Sequence, residues 1–361
     1  MADKKDEIIS LQLDLIRSMT EKNLRSIGQD FWGTPTAPKK EEPAQPQTGA
    51  SEKKTPPKQT SSGPAPEAPA EEIPEKEDIE DLKKELDSYI GLESVKAEVK
   101  NLINIATVYQ MRRTHNLPTA EMSLHMVFSG NPGTGKTMIA RFMARVYHSL
   151  DILSKGQLVE VDRSGLVAGY VGQTAIKTTK VLEKAKGGVL FIDEAYTLTS
   201  KEGSDFGYEA VDTVLKYMED NRDDLVVIVA GYTELMHKFI DSNPGLQSRF
   251  NKYLQFDDYT AEEMTGIFAL QCKKNCYELD EDAEAELREY FRMAAEEAGE
   301  FGNARGVRNV FEKILTAQAN RLAEEKEITR ENLMRVTKSD VRMAVYGKDE
   351  LPGDKDSYEN P

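Results

Sequence analysis

The stretch Gly130-Asn131-Pro132-Gly133-Thr134-Gly135-Lys136-Thr137 constrains this chain more than any other. It follows the apolar run at 124–129 (LHMVFS) and precedes an amphipathic helical pattern, so it stands where a strand turns into a helix. G-x-x-x-x-G-K-[ST] in that context is the pattern of a phosphate-binding loop. Glycines let the backbone wrap so that successive N–H groups point inward, and the following helix presents its positive end to the same anion. Asn131, Pro132, Gly133, Thr134 and Gly135 would line the loop, Lys136 would bridge the β- and γ-phosphates of ATP, and Thr137 would hold Mg²⁺ through its hydroxyl.

A second signal lies downstream. Val189-Leu190-Phe191-Ile192 reads as a buried strand ending in Asp193-Glu194. An acidic pair at the carboxyl end of a neighbouring strand would face the phosphate pocket. Asp193 would then complete the Mg²⁺ shell, and Glu194 would polarise the water that attacks the γ-phosphate. Alone, the pair would be an ordinary solvated turn; beyond a phosphate loop it reads as chemistry.

Around these motifs, short apolar runs at 124–129, 157–161, 188–192, 225–230 and 253–256 alternate with helical patterns. Helices are also expected at 77–87 and 93–114. Strands separated by helices predict an α/β domain with a five-stranded parallel sheet between helical layers. After Asp258 the pattern is purely helical, at 261–275, 281–298, 305–325 and 338–345, with Thr260 and Asp280 as N-caps of the first two. The expected order is therefore an α/β domain over 75–258, a small all-α domain over 259–347 and a disordered tail over 348–361.

The first 74 residues differ. Residues 7–27 place Ile8, Ile9, Leu11, Leu15, Ile16 and Met19 on one helical face, followed by Phe31 and Trp32. This short amphipathic helix, within 1–32, suits either packing on the main domain or docking to a partner. From 33 to 74 prolines alternate with Lys, Glu, Ser, Thr and Gln, and no aromatic occurs, which predicts a disordered linker.

Composition narrows the function classes. The net charge of -16 disfavours a nucleic-acid motor, because phosphate-backbone contacts need Lys or Arg. No apolar run is long enough to span a membrane, and MADKKDEIIS lacks the apolar core of a signal peptide. Cys272 and Cys276, the only 2 cysteines, share a face of a predicted helix and are expected as free thiols in the cytoplasm.

In order and wording these motifs resemble the AAA+ ATPases. Within them they resemble the branch of red-type Rubisco activase (CbbX), the sporulation protein SpoVK and the type VII secretion ATPases. The resemblance is carried by Ile90-Gly91-Leu92-Glu93-Ser94-Val95-Lys96, LHMVFSGNPGTGKT, LVAGYVGQTA at 166–175, VLFIDEAY at 189–196, VVIVAGY at 226–232, SNPGLQSRF at 242–250 and GNARGVRN at 302–309. It implies a ring, a hexamer in this family, that uses ATP hydrolysis to remodel or thread a protein client. A regulatory switch without threading is the alternative.

By the same resemblance Ile90 and Gly91 would contact adenine. Arg249 would be the arginine finger entering the next subunit's site, alone in that duty because Gln247 stands where relatives often carry a second basic residue. Arg305 would sense the γ-phosphate from the lid, with Arg308 one turn later as the fallback. Tyr232 or Thr233 would orient the attacking water. Tyr170, Val171 and Gly172 would form a pore loop that grips the client.

Overall fold

The computed structural model describes residues 74–118, 123–170, 172–200, 206–325 and 327–347. The expected N-terminal helix, the linker up to residue 73, Val171 and the tail over 348–361 lie outside the described residues.

Two helices open the described chain, α1 (Ile79–Ser88) and α2 (Glu93–Thr114). Then β1 (Met126–Gly130) runs into α3 (Lys136–Ser149), and β2 (Leu158–Val161) into α4 (Arg163–Leu166) and α5 (Thr174–Ala185). Next, β3 (Val189–Ile192) leads through a 3₁₀ turn at Ala195–Thr199 to α6 (Phe206–Asp220). Last, β4 (Val226–Gly231) precedes α7 (Thr233–Asp241) and α8 (Pro244–Arg249), and β5 (Lys252–Phe256) closes the lobe. The five strands are parallel in the order β2-β3-β4-β1-β5.

Alternation along the strands feeds two cores, because successive side chains point to opposite faces. Met126, Phe128, Phe191, Ile228 and Phe256 pack under α1–α3, whereas Val127, Leu190, Ile192, Val227 and Val229 pack against α5–α7. With both faces covered, β1, β3 and β4 are buried throughout, hence their nearly continuous apolar wording. Phe128 lies against Phe256 with ring centroids 5.0 Å apart, so truncating either to Ala is expected to cost about 3–5 kcal/mol.

The second lobe contains α9 (Ala261–Asn275), α10 (Glu281–Ala294), α11 (Ala298–Phe301), α12 (Asn303–Ala323), α13 (Arg330–Met334) and α14 (Lys338–Tyr346). Phe268, Phe291 and Phe311 form its aromatic centre. Thr260 caps α9 in a reciprocal box with Glu263, as its sequence position predicted.

Several sequence expectations are corrected here. The lobe is not purely helical, because β6 (Glu278–Leu279) and β7 (Arg335–Val336) pair in parallel. The helix expected over 281–298 breaks after Ala294 into a 3₁₀ turn and the separate α11. The next begins at Asn303 rather than 305, after Gly302 at φ +88°. Asp280 holds the N-cap position, but its carboxylate makes no cap bond and instead accepts from Arg335 Nε at 2.8 Å. Cys272 and Cys276 do not share a helix face: Cys276 is the left-handed C-cap of α9 and is exposed, while Cys272 is buried within it. Both are free thiols.

Candidate active site

The loop after β1 bends at three glycines with positive φ, Gly130 (+146°), Gly133 (+76°) and Gly135 (+96°). Gly130 and Gly133 also have no room for a side chain. A Cβ at Gly130 would lie 2.2 Å from the Phe256 carbonyl, and one at Gly133 would lie 2.2 Å from the Gly302 carbonyl. Glycine is therefore required twice over, by conformation and by close approach. Thr134 is fully buried and donates to the Asn131 carbonyl at 2.8 Å. Lys136 opens α3 and turns its ammonium back to the Gly130 and Asn131 carbonyls at 2.8 and 2.7 Å. Its pKa is lowered to about 8, chiefly by burial and in smaller part by Arg305, against the upward pull of Asp193 and Asp258. A partly desolvated cation at a helix N-terminus, inside a glycine cradle, is a fit for a polyphosphate. Thr137 follows in the first turn of α3.

Asp193 and Glu194 stand at the carboxyl end of β3, which is not the neighbour of β1, because β4 lies between them. Asp193 nonetheless bears electrostatically on Lys136 across the end of β4. Glu194 is exposed and adopts φ +47°, rare for a residue with a Cβ. Its N–H donates to Asp193 Oδ1 at 3.0 Å, and its carbonyl accepts from the N–H of Thr197 at 2.9 Å. The backbone is thus held where the carboxylate faces open space at the strand end.

Beside this pair lies Tyr196, which sequence reasoning missed. Its ring covers Gly231, where a Cβ would sit 2.7 Å from Tyr196 Cδ1, and its centroid is 6.1 Å from that of Tyr232. Burial and the nearby Glu194 raise its pKa to about 12, so its phenol stays protonated. Of the two water-orienting candidates, Tyr232 lies beside Tyr196, which Glu194 also approaches. Thr233 turns instead to Gln255, which accepts from Ser129 Oγ at 2.7 Å and lies 3.3 Å from the Thr233 hydroxyl.

The segment Ile90-Gly91-Leu92 joins loop and lid. Gly91 and Leu92 both have positive φ, +65° and +61°. A Cβ at Gly91 would meet Glu263 at 2.4 Å, Ile90 packs at Gly266 of α9, and Leu92 reaches Gly135 of the loop. From the lid, the N–H of Ala304 donates to the Gly133 carbonyl at 3.2 Å, which brings the start of α12 and its exposed Arg305 to the loop. Arg308, one turn on, pairs with Glu312 at 2.8 Å along the helix.

Residues 126–258 match the family described as "ATPase family associated with various cellular activities (AAA)", and residues 260–350 match "AAA lid domain". Stage V sporulation protein K of Bacillus subtilis is 38% identical over 265 residues, 73% of this chain and 82% of that protein. The chain belongs to the AAA ATPases. Protein CbbX of Cereibacter sphaeroides is similar at 40% identity over 79% of this chain and 92% of its own length. The chloroplastic ribulose bisphosphate carboxylase/oxygenase activase of Cyanidioschyzon merolae is similar at 40% identity over 73% and 89%. Among solved structures, the FIGL-1 AAA domain in complex with ADP gives a TM-score of 0.50 at 19% identity over 74% of this chain and 90% of that one, which shows the fold alone.

In this AAA ATPase the remaining candidates lie away from the loop. Arg249 ends α8 just before β5. β1 and β5 run in register from Met126 and Lys252 to Gly130 and Phe256, so the phosphate loop and Arg249 are at opposite ends of the sheet. At ~3.3 Å per residue the strand alone separates them by ~13 Å. Arg249 pairs with Glu219 at 3.1 Å and borders a groove of about 880 Å³ shared with Arg113, His125 and Arg222. His125 is buried beside it; burial first, and then the Arg249 charge, push its pKa down to about 4. The neutral ring accepts the N–H of Val227 at 3.0 Å. Tyr170 is 74% exposed, in a loop whose Gly169 and Gly172 have nothing within 4 Å of an added Cβ. No helix among the described residues is long and apolar enough to cross a membrane.

Proposed function

We propose that this AAA ATPase works as a ring, a hexamer on the family pattern, in which ATP hydrolysis drives the remodelling or threading of a protein client. The observation that carries the ring is the position of Arg249: a cation at the far end of the sheet from its own phosphate loop is of use to a neighbour's loop. Supplied in trans, it would stabilise charge on the transferring phosphoryl group, and hydrolysis would then depend on assembly.

Within one site, the loop N–H groups and Lys136 bind the β- and γ-phosphates. Thr137 and Asp193 would hold Mg²⁺, which would supply positive charge against the phosphates. Glu194 accepts the proton of the attacking water, while Tyr232, backed by Tyr196, orients that water. Ile90 and Gly91 border adenine, and Arg305 reads the γ-phosphate from the lid, with Arg308 behind it. Tyr170, with Val171 and Gly172, offers a large amphipathic contact that is indifferent to client sequence. The two free thiols support a reducing, cytoplasmic setting.

ATP turnover by the full chain, with and without an unfolded polypeptide, tests this reading. Wild type is expected to hydrolyse ATP faster when the polypeptide is present. Glu194→Gln should bind ATP with near-normal affinity and lose turnover by roughly two orders of magnitude or more, because only the water-activating step is removed. Normal turnover by Glu194→Gln would overturn the assignment of roles.

A further inference from the structure

We infer that Asp258 and Asn303 form a positioning pair through which occupation of the phosphate site sets the position of the lid. The inference rests on the ATPase reading and adds to it two residues that hold no nucleotide themselves.

Asn303 is fully buried and has φ +54°, an unusual state for a residue with a side chain. Its amide is used on every side. Oδ1 accepts the N–H of Tyr259 at 2.9 Å, while Nδ2 donates to Asp258 Oδ1 at 2.7 Å and approaches the Pro132 carbonyl at 3.3 Å. Asp258, in the crossing between β5 and α9, also accepts from Asn131 Nδ2, at 3.0 Å on Oδ1 and 2.8 Å on Oδ2. One carboxylate thus joins the phosphate loop to the first residue of α12. Charge-assisted bonds of this kind are among the stronger ones a protein makes.

The chain of contacts continues in both directions. On the loop side, the Asn131 carbonyl accepts from Lys136 Nζ at 2.7 Å and from the Thr134 hydroxyl at 2.8 Å. A phosphate arriving in the cradle competes for that ammonium, so the Asn131 peptide loses a partner at the moment of binding. Its side-chain amide is the one bonded to Asp258. On the lid side, Arg305 stands two residues beyond Asn303, in the same first turn of α12. A shift of Asn303 therefore carries Arg305 with it. The two lobes are also closely apposed here, because a Cβ at Gly133 would lie 2.2 Å from the Gly302 carbonyl.

A plain staple between lobes would make the same bonds, but it would affect stability only. Asp258→Asn separates the two. It keeps the shape of the side chain but removes the negative charge, and the N–H donor put in place of Oδ2 would face Asn131 Nδ2, itself a donor 2.8 Å away, so the charge-assisted link to the loop is lost. Lid position is read in the full chain from the distance between a label on the exposed Cys276 and one on a cysteine introduced as Lys180→Cys, with ADP and with a non-hydrolysable ATP analogue. The same proteins are assayed for kcat, KM and melting temperature.

The expected result is a lid shift between the two nucleotides in wild type that is lost in Asp258→Asn. The variant's affinity for ATP should stay within roughly threefold while its kcat falls about tenfold, a loss of ~1.4 kcal/mol in the barrier. Asp258→Asn that keeps the shift and kcat while melting earlier overturns the inference in favour of a staple. Wild type that hydrolyses ATP without moving its lid also overturns it, leaving the ATPase reading intact. Wild type without turnover removes both.

Discussion

At the scale of single residues, Lys136 is the one whose environment makes the sharpest demand. Burial holds its pKa near 8 while the Gly130 and Asn131 carbonyls are its hydrogen-bond partners. Phosphate oxygens would favour the ammonium and raise that value, so binding above pH 8 must take up a proton. A group whose pKa is higher in the complex favours binding at low pH, and the gain, full below the free-site value, is lost progressively as pH rises from there towards the value in the complex. Nucleotide affinity by calorimetry should therefore fall about tenfold from pH 7 to pH 9, with proton uptake at the upper end. An affinity flat across that range would contradict phosphate binding at Lys136. The loop was legible in the sequence because its meaning is local: glycine, lysine and threonine at fixed spacing between strand and helix. Tyr196, His125, Asp258 and Asn303 were not, since each takes its role from a partner far along the chain. Asn303 meets Asp258 only once the lid has folded onto the loop.

At the scale of elements, the same division holds between local and long-range causes. The buried strands announced themselves as apolar runs, and α9 announced its start through Thr260 and Glu263. The pairing of β6 with β7 could not be read, because two-residue strands carry no periodicity and form only where α10 and α14 bring them together. Strand order was equally hidden, so the insertion of β4 between β1 and β3 came from the structure alone. The loop between α4 and α5 belongs at this scale. Gly172 has φ +75°, and Tyr170 is left 74% exposed where a tyrosine would normally bury much of its ring. Tyr170→Ala is expected to keep its melting temperature within about 1 °C, since an exposed side chain contributes little to stability. It should keep unstimulated ATP turnover and lose most of the acceleration by an unfolded polypeptide. Full acceleration in that variant would remove the loop from client contact and favour a regulatory switch.

At the scale of the whole molecule, the proposed ring makes each active centre a property of two chains. The phosphate loop, Asp193 and Glu194 lie at the carboxyl ends of the strands, and Arg249 ends α8 at the opposite end, beside Glu219. Removing the cation should leave ATP binding intact and lower turnover by roughly a factor of 10³, the size of effect expected for an arginine finger. Removing Lys136 should abolish binding in that chain while leaving its own Arg249 to serve a neighbour. The most direct test mixes Arg249→Ala with Lys136→Ala, each inactive alone, and measures ATP turnover across mixing ratios. Shared sites predict that activity reappears in the mixture and peaks at intermediate ratios, where intact loops meet intact arginines. No recovery at any ratio, with mixed assemblies shown to form, would contradict an arginine acting on the neighbouring chain.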